Sequence, residues 1–104
     1  MAVSTIKRGS KGPNVSTIQQ RFNGLNESYA GQFGEGVFAK QAKEFGGNGN
    51  PLAVDGIFGP QTEAWVKAFQ KHQSDNTGVE QLVADGLVGP KTQAAMATWG
   101  IYFS

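Results

Sequence analysis

The chain has 104 residues, of which 38% are hydrophobic, 16% charged and 15 glycine, and its formal net charge is +1. This length holds one modest core and argues against two independently stable domains, so residues 1–104 are read as a single domain. The near-neutral balance excludes the strong positive field that nucleic-acid or anionic-lipid binding needs, and the absence of cysteine excludes disulfides, thiolate catalysis and Cys-ligated metals.

The start of the chain has no apolar stretch long enough for a signal peptide or a membrane span. A role outside the cell therefore calls for an export signal removed from this chain or for another route of release. Residues 1–50 are mildly basic, with Lys7, Arg8, Lys11, Arg21, Lys40 and Lys43 against Glu27, Glu35 and Glu44, while residues 51–104 are mildly acidic. A solvated surface of mixed sign is the expected reading, with a polyanion-binding face as the sharper alternative.

The first helix is predicted from Pro13 to Leu25. Proline at the first helical position loses nothing by lacking an N–H, and Gly12 before it lets the chain enter from a turn. Val15, Ile18, Phe22 and Leu25 fall on one face at helical spacing and are the expected buried set. The connection from Asn26 to Val54 is too long for plain loop in so small a protein. Within it Val37, Phe38, Gln41, Ala42 and Phe45 share a face, which predicts a short extra helix over 35–45 that ends at Gly46-Gly47.

Asp55-Gly56-Ile57-Phe58-Gly59-Pro60-Gln61-Thr62 then recurs 30 residues later as Asp85-Gly86-Leu87-Val88-Gly89-Pro90-Lys91-Thr92. Each copy reads as a turn, in which the aspartate accepts backbone N–H bonds and glycine takes an unusual dihedral, followed by a proline-opened helix. Phe58 and Val88 are placed to plug the end of the helix pair. Gly12-Pro13-Asn14-Val15 is a third, degenerate copy. The second main helix is predicted over 60–72, burying Thr62, Trp65, Val66 and Phe69. The third is predicted over 90–99, burying Ala95, Met96 and Trp99. Gly100 stops it, and Ile101-Tyr102-Phe103 is expected to fold back as an apolar tail. A 30-residue repeat of this kind suggests a duplicated turn–helix unit, and the fold class is all-α, a three-helix bundle.

The two Asp-Gly-x-x-Gly-Pro-x-Thr motifs, the Val66, Phe69 and Gln70 that follow the first of them, and Arg8-Gly9-Ser10-Lys11-Gly12-Pro13 with Val15, Ile18 and Gln19 resemble the peptidoglycan-binding domain family of small three-helix modules attached to cell-wall hydrolases. The resemblance covers about residues 6–99, with an insertion over 27–54. Trp65 stands where the family commonly has a small residue, and Gln93 where its last helix often has tryptophan. The resemblance implies non-catalytic binding of peptidoglycan, through a glycan strand or stem peptide, beside a hydrolase domain or protein partner in the cell envelope. It also implies a groove bordered by the two Asp-Gly turns and the start of the second main helix. The candidate ligand-binding residues are Asp55, Gly56, Phe58, Gly59, Gln61, Thr62, Trp65, Asp85 and Gln93.

Other chemistries find little support. His72 is the only histidine, and no metal-ligand spacing surrounds it, so no metal or cofactor is expected. Asp55 and Asp85 could be a hydrolase pair, but turn capping accounts for both, and no catalytic residue is assigned. Tyr29, Phe33 and Tyr102 lie outside the repeated register and are candidate platforms for sugar rings, against packing in turns and tail. The rival to wall binding is an interaction module that keeps the helical scaffold without a wall ligand; a hydrolase is a distant third.

Overall fold

The computed structural model describes residues 5–33, 42–47, 52–76, 84–98 and 100–103, with side chains for all of these except 25–33 and 72–76. Among the described residues there are three α-helices, α1 (Pro13–Phe33), α2 (Pro60–Asn76) and α3 (Pro90–Ala97), with one 3-10 turn at Lys43–Phe45 and no sheet.

Each helix opens as the Gly-Pro steps require. The carbonyls of Gly12, Gly59 and Gly89 accept from the N–H groups of Ser16, Glu63 and Gln93 at 3.3, 3.0 and 2.9 Å, closing the first helical turn around a proline that has no donor to lose. The helix ends depart from expectation. α1 runs on past Leu25 to Phe33, and α2 past His72 to Asn76. Once a helix is nucleated, each added residue gains a hydrogen bond for little further ordering, and neither extension meets a proline. α3 is shorter than expected, ending at Ala97, and Trp99 lies outside the described residues. Its stop is a Schellman pair: Gly100 at φ +81 lets its own N–H reach the Ala97 carbonyl at 3.1 Å, and the Ile101 N–H reaches that of Met96 at 3.0 Å.

Most of the extra helix expected over 35–45 lies outside the described residues. Its described end is a 3-10 turn, closed by Gly46 at φ +94 and by the Gly47 N–H donating to the Ala42 carbonyl at 2.8 Å.

The core is built by α2. Thr62, Ala64, Trp65, Val66, Ala68, Phe69 and Gln70 are all buried, so this helix is enclosed on more than its expected face. α1 presses Val15, Ile18 and Phe22 against it, and the Phe22 ring stacks on Phe69 at 5.5 Å and on Trp65 at 6.4 Å between centroids. Phe58 and Val88 are buried as expected for plugs, and Met96 and Ile101 complete the cluster. The tail folds back only through Ile101 and the half-buried Phe103, since Tyr102 is 71% exposed. No described helix is long and apolar enough to cross a membrane. Because Phe22 contacts two other rings, Phe22→Ala is expected to cost about 3–5 kcal/mol, measured as a lower urea midpoint.

Candidate ligand-binding site

The two Asp-Gly turns are held from inside by glutamines. Gln19, on α1, directs its Oε1 at the backbone N–H groups of Asp55 and Gly56, at 3.2 and 3.0 Å. Its Nε2 faces Asp55 Oδ1, the Ile57 carbonyl and Thr62 Oγ1 at 3.0, 3.0 and 3.1 Å, so two amide hydrogens are shared over three acceptors. Gln70, on α2, does the same for the second turn. Its Nε2 donates towards Asp85 Oδ1, the Leu87 carbonyl and Thr92 Oγ1 at 3.0, 3.0 and 3.2 Å, and its Oε1 accepts from Gly86 N–H at 3.0 Å. Both glutamines are buried.

Within each turn the aspartate Oδ1 also accepts from the N–H two residues on, Ile57 at 3.0 Å and Leu87 at 2.9 Å. Gly56 and Gly86 supply the left-handed dihedrals, φ +73 and +76. A Cβ at Gly86 would also lie 2.7 Å from Glu63 Cγ. The Ile57 N–H and the Gln19 amide hold the Asp55 carboxyl below the ordinary aspartate range, against a smaller opposing effect of desolvation. One helical turn beyond Gln19, Asn23 clamps Leu52 in both directions, accepting from its N–H and donating to its carbonyl, each at 2.8 Å.

The N-terminal segment then crosses both turns. Ile6 and Val88 exchange backbone bonds at 3.1 and 2.8 Å. Gly12 N–H donates to the Gly56 carbonyl, Phe58 N–H to that of Ser10 and Gly9 N–H to that of Phe58, each at 2.9 Å. Lys11 and Ile57 face each other across this second crossing.

The residues of the expected groove are divided between the interior and the surface. Trp65 is 0% exposed and Phe58 and Thr62 are also buried, so these three side chains face the interior, whereas Gln93, 6% exposed, lies at the edge of the core and lines a cleft beside α3. The Gln93 Nε2, expected to meet a ligand, donates to the Val88 carbonyl at 3.0 Å. The Gly56 N–H is taken by Gln19. Asp55 and Asp85 remain exposed beside the half-buried Gly59 and Gln61. Trp65 Nε1 is buried without a hydrogen-bond partner, a state that costs on the order of 1–3 kcal/mol and that fits a ring placed for its packing. His72, Tyr29 and Phe33 have no described side chain.

A concave feature lies elsewhere. A cleft of about 240 Å³ opens between α3, at Pro90, Gln93, Ala94 and Ala97, and the tail, at Ile101, Tyr102 and Phe103, so of the expected ligand-binding residues Gln93 is one that lines it. Among the described residues no group of three or more His, Cys, Asp or Glu side chains could hold a metal ion.

A family model described as "Putative peptidoglycan binding domain" matches residues 11–96. No curated protein and no solved structure matches the chain.

Two variants test this account. Gln19→Glu replaces the donor with an oxygen facing three acceptors, so at neutral pH it is expected to cost about 2–4 kcal/mol. That environment raises the new carboxyl's pKa above its unfolded value of about 4.3, so the variant's deficit should shrink as pH falls towards that value and widen as pH rises. Wild-type Asp55 has the opposite sign. Its folded pKa is depressed, so its contribution is present above the ordinary aspartate value of about 3.9 and is lost as pH drops through the lower folded one. Melting curves across pH 3–7, a range of about four units around these values, separate the two behaviours. Trp65→Ala should lose about 3–5 kcal/mol in urea unfolding, whereas a ligand-contacting side chain would leave stability unchanged.

Proposed function

We propose that this chain, which belongs to the peptidoglycan-binding domain family, retains an associated wall-active protein on bacterial peptidoglycan by reversible, non-catalytic binding in the cell envelope. The observation that carries this reading is the family match over residues 11–96. The matching hydrogen-bond sets of Gln19 and Gln70 support reading the two Asp-Gly motifs as copies of one turn–helix unit.

In this reading the cleft between α3 and the tail receives the glycan. At about 240 Å³ it is smaller than the roughly 300–1,000 Å³ of a drug-sized pocket, a size for one sugar ring rather than an extended oligomer. Tyr102 offers an exposed ring for stacking against the apolar face of a sugar, and Ala94, Ala97 and Ile101 line the wall beside it. Such a site gives modest affinity by itself. Tethering to a hydrolase domain or to a second module raises the local concentration, so retention gains from avidity without new contacts. Asp55 and Asp85 serve as turn acceptors, and no bond of the ligand is broken.

Cosedimentation with purified peptidoglycan sacculi, with chitin as a control, tests the function. Wild type should pellet with sacculi, and Tyr102→Ala should weaken binding about tenfold, the equivalent of about 1.4 kcal/mol, with an unchanged melting temperature. Absence from the sacculus pellet, together with retention by a protein partner, would replace this reading with an interaction module.

A further inference from the structure

The basic half of the sequence places Lys7, Arg8 and Lys11 on the N-terminal segment, where all three are exposed. Among the described residues none of the three forms an ion pair; the salt bridges there join Lys67 to Glu63 and Lys71 to Glu44. The crossings decide what stands beside them. Residues opposite one another in an antiparallel bridge share a face, so Ile6 and Val88 point inward together and both are buried. The next residues out, Lys7 and Leu87, therefore face outward together, since side chains alternate. At the other crossing Lys11 and Ile57 lie opposite each other, and both are exposed.

Ile57 and Leu87 occupy the same position in the two Asp-Gly-x motifs and are 48% and 44% exposed. A single exposed aliphatic residue is ordinary. Here the same motif position leaves one in water twice, each time beside a lysine that forms no ion pair among the described residues, with the exposed Arg8 on the segment that joins the two crossings. Asp55 and Asp85 lie two residues before these aliphatic positions, with Oδ1 of each committed inward. The crossing segment and the two turns thus expose three cations and two aliphatic side chains, with one carboxylate in each turn. Three cations beside two carboxylates make too weak a field for a polyanion. They suit a short ligand with its own carboxylates and small apolar groups.

We propose that the strip formed by Leu87, Lys7, Arg8, Lys11 and Ile57 binds the carboxylate-bearing stem peptide of peptidoglycan, the cations pairing with its carboxylates and the two aliphatic side chains packing on its methyl groups. This rests on the peptidoglycan reading above and assigns the stem peptide to a surface separate from the α3–tail cleft. Uncharged glycan has nothing for the three cations to pair with, which favours the peptide as occupant.

The test compares two soluble probes, disaccharide–tetrapeptide units and neutral glycan chains (chitin oligosaccharides, which carry no carboxylate), by calorimetric titration of wild type and of the Lys7→Gln/Lys11→Gln and Ile57→Ser/Leu87→Ser double variants. All four positions are surface side chains, and circular dichroism melting checks that each variant folds. Both variants should bind the disaccharide–tetrapeptide about tenfold more weakly, the equivalent of about 1.4 kcal/mol, and the glycan chains as wild type does. Wild-type affinity for the peptide probe should also fall as salt is raised from about 0.05 to about 0.5 M, because exposed charge pairs are screened. Unchanged affinity in the lysine variant, or an equal loss on both probes, overturns the assignment while leaving sacculus binding intact. Wild type that binds no sacculi overturns the functional reading and this proposal with it.

Discussion

Two buried glutamine carboxamides organise this protein. A tight turn leaves N–H groups in need of acceptors and carbonyls in need of donors, and sealing it against a helix removes the water that would otherwise meet them. A carboxamide has both functions on one flat, uncharged group. Gln19 and Gln70 each use the oxygen on turn N–H groups, and the nitrogen on an aspartate, a carbonyl and a threonine hydroxyl. A carboxylate would lack the donors, and an ammonium would lack the acceptor and bring a charge into the core. With the turns held, Phe58 and Val88 plug the core, and the prolines that open α2 and α3 follow in register. The N-terminal segment then has two fixed edges to cross.

The same arrangement gives each turn an inner face that is bonded and an outer face that is open. Turn groups that sequence alone offers to a ligand, such as the Gly56 N–H, the Thr62 hydroxyl and the inner aspartate oxygens, are consumed from the inside. What faces outward is the side chains at the middle of each turn and the basic residues of the crossing segment. Substitution on the inner face is therefore a matter of folding, and substitution on the outer face leaves the buried hydrogen bonds in place. Lys71 and Glu44, paired at 2.8 Å, are both exposed, so this link between α2 and the 3-10 turn adds little beside the buried networks.

The structure reproduces the helix starts and the buried positions at Val15, Ile18, Phe22, Val66, Phe69 and Met96. The ends of α1 and α2 escaped prediction because no proline marks them, and continuation of a helix depends on what the following turns pack against. Gln19 and Gln70 were visible in the motifs that carried the family resemblance. Their role was not, because glutamine on a helix is ordinarily solvated and its turn partners lie 36 and 15 residues away. A carboxamide on each apolar face, matched in number to the Asp-Gly turns, was the available signal. Trp65 read as a groove residue because register puts a side chain on a face without saying what covers that face.

The sequence by itself determined the Gly-Pro helix entries, the left-handed glycines of the two turns, the Gly100 stop and most of the core register. Each of these follows from dihedral limits or hydrogen bonds that close within a few residues. Tertiary structure decided which side of each turn is spent on folding and which remains open. It set Lys7 beside Leu87 and Lys11 beside Ile57, and opened a cleft between α3 and the tail. Those outcomes depend on pairings between distant segments, which are determined only once the core brings the segments together.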